Sequence, residues 1–386
     1  MQFKTQSRLL FVSLLLLVAC QPILLPAANT LPDTTTPLPR ATPSGTCGDG
    51  ICNGPETSAR CPADCPAEAT GVPPQPAKTP SSGNAPLYLT TMTHMESKWE
   101  DDTDQTVFLQ HVEQIRYGLG LANEYGARFT IESELPFANG ARIWGVNILQ
   151  EVLQLGHGVG THSDINPQKS YTLDELTREF TARKTPVDAL VGAENNRGTS
   201  GGGCPGDWVI AAHQAGFVYM DGVVGMHLLG VPLSARPSSL WTDEYILSVG
   251  YHQDVPVELI DRIYPILLAD TKDFVPDANG VLLILSGDIG RLDYAAEGGA
   301  DNCGKNNACS LTNADADSIV DQIRYADSIR DRTRIAKLTI FLPADLFQPA
   351  NEGPLRYFLQ KMKDLADEGT IVWATQGQVY DAYRKE

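Results

Sequence analysis

Gly156-His157-Gly158-Val159-Gly160-Thr161-His162-Ser163-Asp164 is a run in which glycine alternates with larger residues until the chain stops on an imidazole and a carboxylate. Val159 and Thr161 favour the pleated conformation, and the small residues between them suit a backbone packed on both faces, so the run predicts a buried strand over 158–162. A strand that ends on His162 and Asp164 has the form of a metal or acid/base site. The same form occurs earlier, where Leu87-Tyr88-Leu89-Thr90-Thr91-Met92-Thr93 closes on His94 and Glu96. Two strands that deliver histidine and carboxylate at the same end predict a shared pocket.

Outward from these two strands, strand-like and helical runs alternate. Strands are predicted over 87–93, 128–132, 158–162, 217–221, 281–285, 337–342 and 370–374, and helices over 105–125, 147–155, 173–190, 207–215, 314–329 and 354–368. This alternation is the pattern of a parallel sheet with crossover helices. The stretch from residue 87 to 386, about 300 residues, suits a single closed or nearly closed α/β barrel of seven or eight strands. The segment 222–278 is proline-rich and irregular and receives no assignment.

In a parallel barrel the chemistry lies where the strands end. His94 and Glu96 follow the first strand, Glu132 and Glu134 the second, His162 and Asp164 the third, Asp221 the fourth and Asp288 a later one. Residues two apart on a strand share a face, so His94 pairs with Glu96 and His162 with Asp164. Two imidazoles and two carboxylates suit a divalent ion, zinc first, with nickel, cobalt and iron as other occupants. Of the remaining histidines, His111 and His213 lie on amphipathic helices and read as surface groups. His157 reads as a local hydrogen-bonding residue, and His227 and His252 lie in the unassigned segment. Arg197-Gly-Thr-Ser-Gly-Gly-Gly lacks the Lys-Ser/Thr of a phosphate loop and reads as a place where backbone approaches a ligand.

The amino-terminal part has a different organisation. Lys4 and Arg8 precede an apolar run, Leu9 to Ala19, too short to span a bilayer. It ends in Leu17-Val18-Ala19-Cys20, which resembles the lipobox of bacterial lipoproteins. The resemblance implies cleavage and lipidation at Cys20, and an extracytoplasmic protein of the bacterial cell envelope whose membrane contact is its lipid anchor. Residues 1–20 are thus a signal peptide, 21–46 a Pro/Thr-rich tether, 47–65 a small disulfide-rich module with Cys47, Cys52, Cys61 and Cys65, 66–86 a Pro-rich linker, and 87–386 the barrel. Connectivity within the module is open. Cys303 and Cys309 sit in one Gly/Asn-rich loop where they can close a disulfide, leaving Cys204 over or paired with one of them. A formal charge of −18 argues against nucleic acid and leaves neutral or cationic sugars and peptides as partners.

Gly156-His-Gly-Val-Gly-Thr-His162-Ser163 is similar to the Gly-His-x-x-Gly-x-His-Ser/Thr segment of the polysaccharide deacetylases, the NodB homology domain of the carbohydrate esterases. Arg197 with its following glycines, helix and Ala215-Gly216-Phe217 resembles that family's arginine motif. Leu338-Thr-Ile-Phe-Leu342, a helix, then Gly369-Thr-Ile-Val-Trp373 resembles its closing strand, helix and strand. The resemblance implies a distorted (β/α) barrel of about seven strands and removal of acyl groups from a glycan by metal-activated water. It places His94 at the base position, Arg197 as the group that orients base or substrate, and Glu96 at a ligand position. The family's second metal histidine falls at Asn166, so Asp164 takes that place and the ligand set becomes Glu96, His162 and Asp164. The family's late general-acid histidine falls near Pro343, where none stands. Two other functions stay open: a glycan-binding surface protein that has lost the chemistry, and a glycoside hydrolase using paired carboxylates such as Glu132 with Glu134 or Asp221 with Asp288.

Overall fold

The computed structural model describes residues 84–95, 99–298 and 310–385. The sequence expectations for Cys20, the tether, the module of Cys47, Cys52, Cys61 and Cys65, Glu96, Cys303 and Cys309 lie outside the described residues.

The described chain alternates strands and helices. In order they are β1 (Leu87–His94), α1 (Gln105–Glu124), β2 (Thr130–Ser133), α2 (Leu135–Trp144), α3 (Ile148–Gln154), β3 (Gly158–Ser163), α4 (Leu173–Val191), β4 (Gly198–Gly201), α5 (Trp208–Gln214) and β5 (Tyr219–Asp221). Two one-turn helices follow, α6 (Asp243–Tyr245) and α7 (Leu259–Arg262), then β6 (Ile266–Leu268), β7 (Leu282–Leu285) and β8 (Asp288–Arg291). The chain closes with α8 (Asn313–Ile329), β9 (Ala336–Phe341), α9 (Glu352–Asp367), β10 (Val372–Trp373) and α10 (Gln376–Tyr383).

Every neighbouring pair along β7-β5-β4-β3-β2-β1-β9-β8 is parallel, and β6 alone runs antiparallel, on β7. β7 and β8 are separated by only Ser286 and Gly287, and one pairs with β5 while the other pairs with β9. This continuous segment therefore links the two ends of the strand order and closes a ring of seven strand positions, in agreement with the expected barrel. Gly287 makes the bend possible: its φ is +102°, and a Cβ there would collide with the Lys337 carbonyl.

Local chemistry sets the helix boundaries. The Asp104 carboxylate accepts from the amides of Thr106 and Val107 at the start of α1, and Thr172 and Glu175 cap α4 reciprocally. α4 then buries Leu176, Phe180, Val187 and Val191. Leu176 and Phe180 are fully buried and contribute about 2 kcal/mol each by leaving water. The helix shell thus holds the strands in fixed register, which is what aims their carboxyl ends.

Several elements differ from the sequence expectation. β4 was expected to be a ligand-approach loop, because Gly-Thr-Ser-Gly has no apolar alternation. Glycines in and just after it serve packing: Gly198 lies against the Tyr219 ring and Gly203, past the strand's end, against the His227 backbone, with no room for a Cβ at either. α2 and α10 are too short, and β8 too polar, to stand out by periodicity. β6 falls in the segment that received no assignment, as do several 3-10 turns. Cys204 is buried as a free thiol, with burial pushing it up to about 12, so of the two fates left open it takes the unpaired one and is chemically inert.

Candidate functional site

The register of the parallel strands decides which side chains meet. His94 lies opposite Glu132, Glu132 opposite Gly160, and His162 opposite Ser200. The carboxyl ends of β1 to β4 thereby deliver His94, Glu132, His162 and Ser200 to one place. His94 Nε2 lies 3.0 Å from Glu132 Oε2, and the His94 and His162 rings lie against each other with centroids 3.8 Å apart and planes tilted by 31°. Phe341, from the end of β9, also packs against His94, with centroids 5.0 Å apart. Ser200 is the centre of this inner layer. Its Oγ lies 2.5 Å from Glu132 Oε2, 2.7 Å from His162 Nδ1 and 3.2 Å from His94 Nε2.

An outer layer follows, in which Asp164 is partly exposed and Glu134 is buried. Asp164, its side chain 40% exposed, places Oδ1 3.4 Å from His162 Nε2, and the Glu134 carboxylate accepts the Met95 amide at 3.0 Å. The Arg183 guanidinium holds the Asp164 carbonyl, which fixes the turn after β3. The predicted shared face of His162 and Asp164 is therefore present.

Beneath both layers lies a buried charge network. Burial pushes the Glu132 carboxyl up, but hydrogen bonds and the charge of His94, with further bonds from Asp221 and Ser200, outweigh it and hold Glu132 below the usual range. Burial, reinforced by the Glu132 charge, pushes Asp221 well above its ordinary value. Neither Asp221 oxygen has a partner among the described residues unless one of them carries a proton, and Glu132 is the acceptor that proton reaches. Burial beside the Glu132 charge thus favours the neutral form of Asp221. Lys337, fully buried and lowered by that burial, supplies the cation for Asp288, Asp221 and Glu132.

Two groups of three residues bring potential ligand atoms within 4.8 Å of one another: His94, Glu132 and His162, and Glu134, His162 and Asp164. Bonds of about 2.1 Å in a tetrahedral site set ligand atoms about 3.4 Å apart. The 3.4 Å from His162 Nε2 to Asp164 Oδ1 matches that edge, and Asp164 Oδ2 is a buried oxygen without a hydrogen-bond partner among the described residues. The donor set, imidazole and carboxylate, suits zinc and its neighbours in the first transition row. These residues therefore fit a divalent ion.

Several expectations need correction. Arg197 precedes β4 and so stands at its amino end, whereas Ser200 at the other end meets the histidines. The Arg197 guanidinium pairs with Asp381 of α10 at 2.7 and 3.0 Å, away from the histidines. His111 is buried rather than exposed, its Nδ1 2.7 Å from Asp101 Oδ1. Asn166 turns to the Gln168 amide, 2.9 Å away. Asp221 is fully buried, so the pairing of Asp221 with Asp288 cannot flank a glycosidic bond. His213 is exposed, as expected, and so is His252, while His227 is buried with Nε2 3.2 Å from the Gly201 carbonyl. The residues that sequence reasoning missed are Ser200 and the inward role of Glu132. Ser200 gave no signal, being embedded in glycines, while Glu132 stood at a strand end like any surface acid.

His157 and His227 carry a consequence for acid stability. Burial lowers both to about 4, His157 with help from the Arg128 charge and His227 against its hydrogen bonds to the backbone. The folded value lies below the unfolded 6.5, so each contributes stability that is complete above pH 6.5 and is lost as pH falls toward 4, about 3 kcal/mol apiece. Asp254, pushed up to about 7 by burial, acts in the opposite sense, so a variant rather than the parent gives the readout. The stability difference between the parent and His157→Gln in urea is expected to shrink by more than half from pH 7 to pH 4.5. A difference that stays constant would refute the assignment.

No protein-family model matches the chain, and no curated protein matches it in sequence. Among solved structures it is similar to a Mycobacterium smegmatis protein described as a polysaccharide deacetylase, at 12% identity over 80% of this chain and 94% of that one, with a TM-score of 0.50. It is also similar to the PuuE allantoinase, at 12% identity over 83% of this chain and 98% of that one, with a TM-score of 0.53. At such identity the likeness is one of fold: this α/β barrel is the architecture that both of those proteins use.

Proposed function

We propose that the chain is a metal-dependent hydrolase that removes acyl groups, acetyl first among them, from a glycan outside the cytoplasm, tethered to the cell envelope through a lipidated Cys20. The observation that carries this reading is the convergence of His94, His162, Glu132, Glu134 and Asp164 at the carboxyl ends of the first three strands, with potential ligand atoms within 4.8 Å of one another in each of the two groups. The fold shared with a protein described as a polysaccharide deacetylase is consistent with it.

A divalent ion held on His162 and the neighbouring carboxylates would act as a Lewis acid on an acyl carbonyl and make water acidic enough to attack near neutral pH. The chain's own groups have distinct tasks. His94, with its Nε2 3.0 Å from Glu132 Oε2, is the imidazole placed to accept a proton from the attacking water. Glu132, 3.0 Å from His94 and held below its usual range chiefly by His94 against its burial, stabilises the imidazolium that results. The half-exposed Asp164 marks the side from which a glycan reaches the site. Ser200 is not a nucleophile: it is 1% exposed and its single proton is committed to Glu132.

A second reading, a glycan-binding protein without turnover, draws support from Asn166 and Pro343 at positions where the resemblance has histidines. Acetate release from acetylated oligosaccharides by the full chain separates the two. Hydrolysis is expected to fall at least about 100-fold on thorough chelation and to return with zinc. Undiminished release after chelation would exclude the metal-dependent reading, and glycan binding with neither metal uptake nor release would establish the second.

A further inference from the structure

We propose that Arg291, packed against Phe341 and Tyr294, forms a subsite for the neutral sugar ring next to the one that carries the acyl group. Resting on the acyl-hydrolase reading above, this subsite makes the substrate a chain of sugars rather than a single one.

The strands decide the placement. β8 ends at Arg291 and β9 at Phe341, and the two residues are register partners at the carboxyl end of the barrel. Asp288 is partnered with Thr339, so three steps along β8 match two along β9. An extra residue of this kind turns over the alternation of side chains, and Gly290, with φ +102°, takes the bend that it requires. Without the extra residue Gly290, and not Arg291, would stand beside Phe341.

Contacts then run outward from the histidines. The Phe341 ring lies 5.0 Å from the His94 ring, and the Arg291 guanidinium carbon lies 5.8 Å from the Phe341 ring and 5.4 Å from the Tyr294 ring. The first two distances keep the guanidinium within about 11 Å of the His94 ring, the reach of the next unit along a sugar chain. The guanidinium is held before any ligand arrives. Its Nε and Nη2 donate to Asp293 Oδ1 and Oδ2 at 2.6 and 2.8 Å, a forked pair that fixes its plane. Asp293 is itself buried, on the 3-10 turn Leu292–Tyr294 that follows β8. That pair uses one edge of the guanidinium. Nη1, on the other edge, makes no hydrogen bond among the described residues, and the side chain is 31% exposed. Phe341 and Tyr294 are half-buried, so each leaves part of its ring to solvent. A fixed donor edge beside aromatic surface matches a pyranose, which offers hydroxyl oxygens at its rim and C–H groups on its faces.

Charge selects a neutral ring. Asp293 already pairs with Arg291, the exposed Asp345 adds a second negative charge nearby, and Glu134 and Asp164 stand at the strand ends. A uronate carboxylate would meet a cation that is already neutralised and several carboxylates that repel it, whereas hydroxyls take the Nη1 bonds without that repulsion.

Acetate release by the zinc-supplied full chain is measured on acetylated mono- and tetrasaccharides of glucose, glucosamine and glucuronic acid. Binding of the same tetrasaccharides to the chelated protein is followed by calorimetry. The parent is expected to prefer a neutral tetrasaccharide over its monosaccharide by about 10-fold or more in kcat/KM. Arg291→Lys keeps a charge for Asp293 but loses the second donor edge, and is expected to erase most of that preference through KM, with kcat within about 2-fold of the parent. Arg291→Met combined with Asp293→Asn removes the pair without leaving a buried charge and is expected to do the same, with melting curves showing that both variants stay folded. A tetrasaccharide KM that neither folded variant changes would overturn the subsite and leave the hydrolase reading intact. Tighter binding of the glucuronic acid tetrasaccharide than of the neutral ones would also overturn the subsite. Binding that depends on Arg291, with no acetate released, would overturn the hydrolase reading and keep the subsite. Neither release nor binding would overturn both.

Discussion

Replacing His162 and Asp164 together by alanine is expected to leave the barrel folded, remove its metal and lower acyl hydrolysis by at least about 10³-fold. The two residues carry little of the structure. Asp164 lies just past the end of β3, half exposed, and the turn it occupies is held through its backbone carbonyl by Arg183, which the substitution spares. His162 is buried and packed against the His94 ring, so its loss costs about 2 kcal/mol of packing, well within what a domain of this size tolerates. The chemistry loses much more. Without His162 and the Asp164 carboxylate, only Glu134 remains of one ligand group and only His94 and Glu132 of the other, and neither remnant retains a divalent ion against water. Metal analysis of purified protein, a circular-dichroism melt and acetate release are to be read together. Full metal content in the double variant would place the ion elsewhere, and loss of the cooperative melt would mean that these residues serve the fold.

The part of this site that sequence revealed is the part that local chemistry controls. β1 and β3 are runs of β-favouring residues that end abruptly on histidine, and that ending is visible without knowledge of neighbours. The rest depends on register. Arg197 stands three residues before Ser200, and only the pairing of His162 with Ser200 shows that the serine is at the end where the histidines meet and the arginine at the opposite one. Glu132 and Glu134 are two apart and read as equivalent. In the barrel one turns in to Ser200 and His94 and the other accepts the Met95 amide. The closing bend at Gly287 was equally hidden, because a polar tetrapeptide such as Asp288–Arg291 becomes a strand only when β9 offers it a partner.

Lys337→Met is expected to destabilise the barrel by about 3–5 kcal/mol, the largest loss from any single substitution outside the hydrophobic core. Lys337 is fully buried, and its Nζ donates to the carbonyls of Leu285 and Ser286 at 2.5 and 2.9 Å, on the bend that joins β7 to β8. Methionine matches the length of the side chain, so the loss would be electrostatic: two carbonyls lose their donor, and Asp288 loses the charge that opposes its burial. Asp288 is already raised by burial, and without the ammonium it rises further. A carboxyl whose folded value is raised contributes stability that is complete below its unfolded value of 3.8 and is lost as pH rises through the folded one, so the deficit of the variant should be smaller at pH 5 than at pH 8. Adding Asp288→Asn should recover part of the loss, because it removes the charge that the first substitution left unpaired. Urea denaturation of the parent, the single variant and the double variant at both pH values measures all three quantities. If the deficit is larger at pH 5 than at pH 8, Lys337 is not the counter-ion of Asp288, and the buried network that holds Glu132 and Asp221 beneath the site must be balanced by another cation.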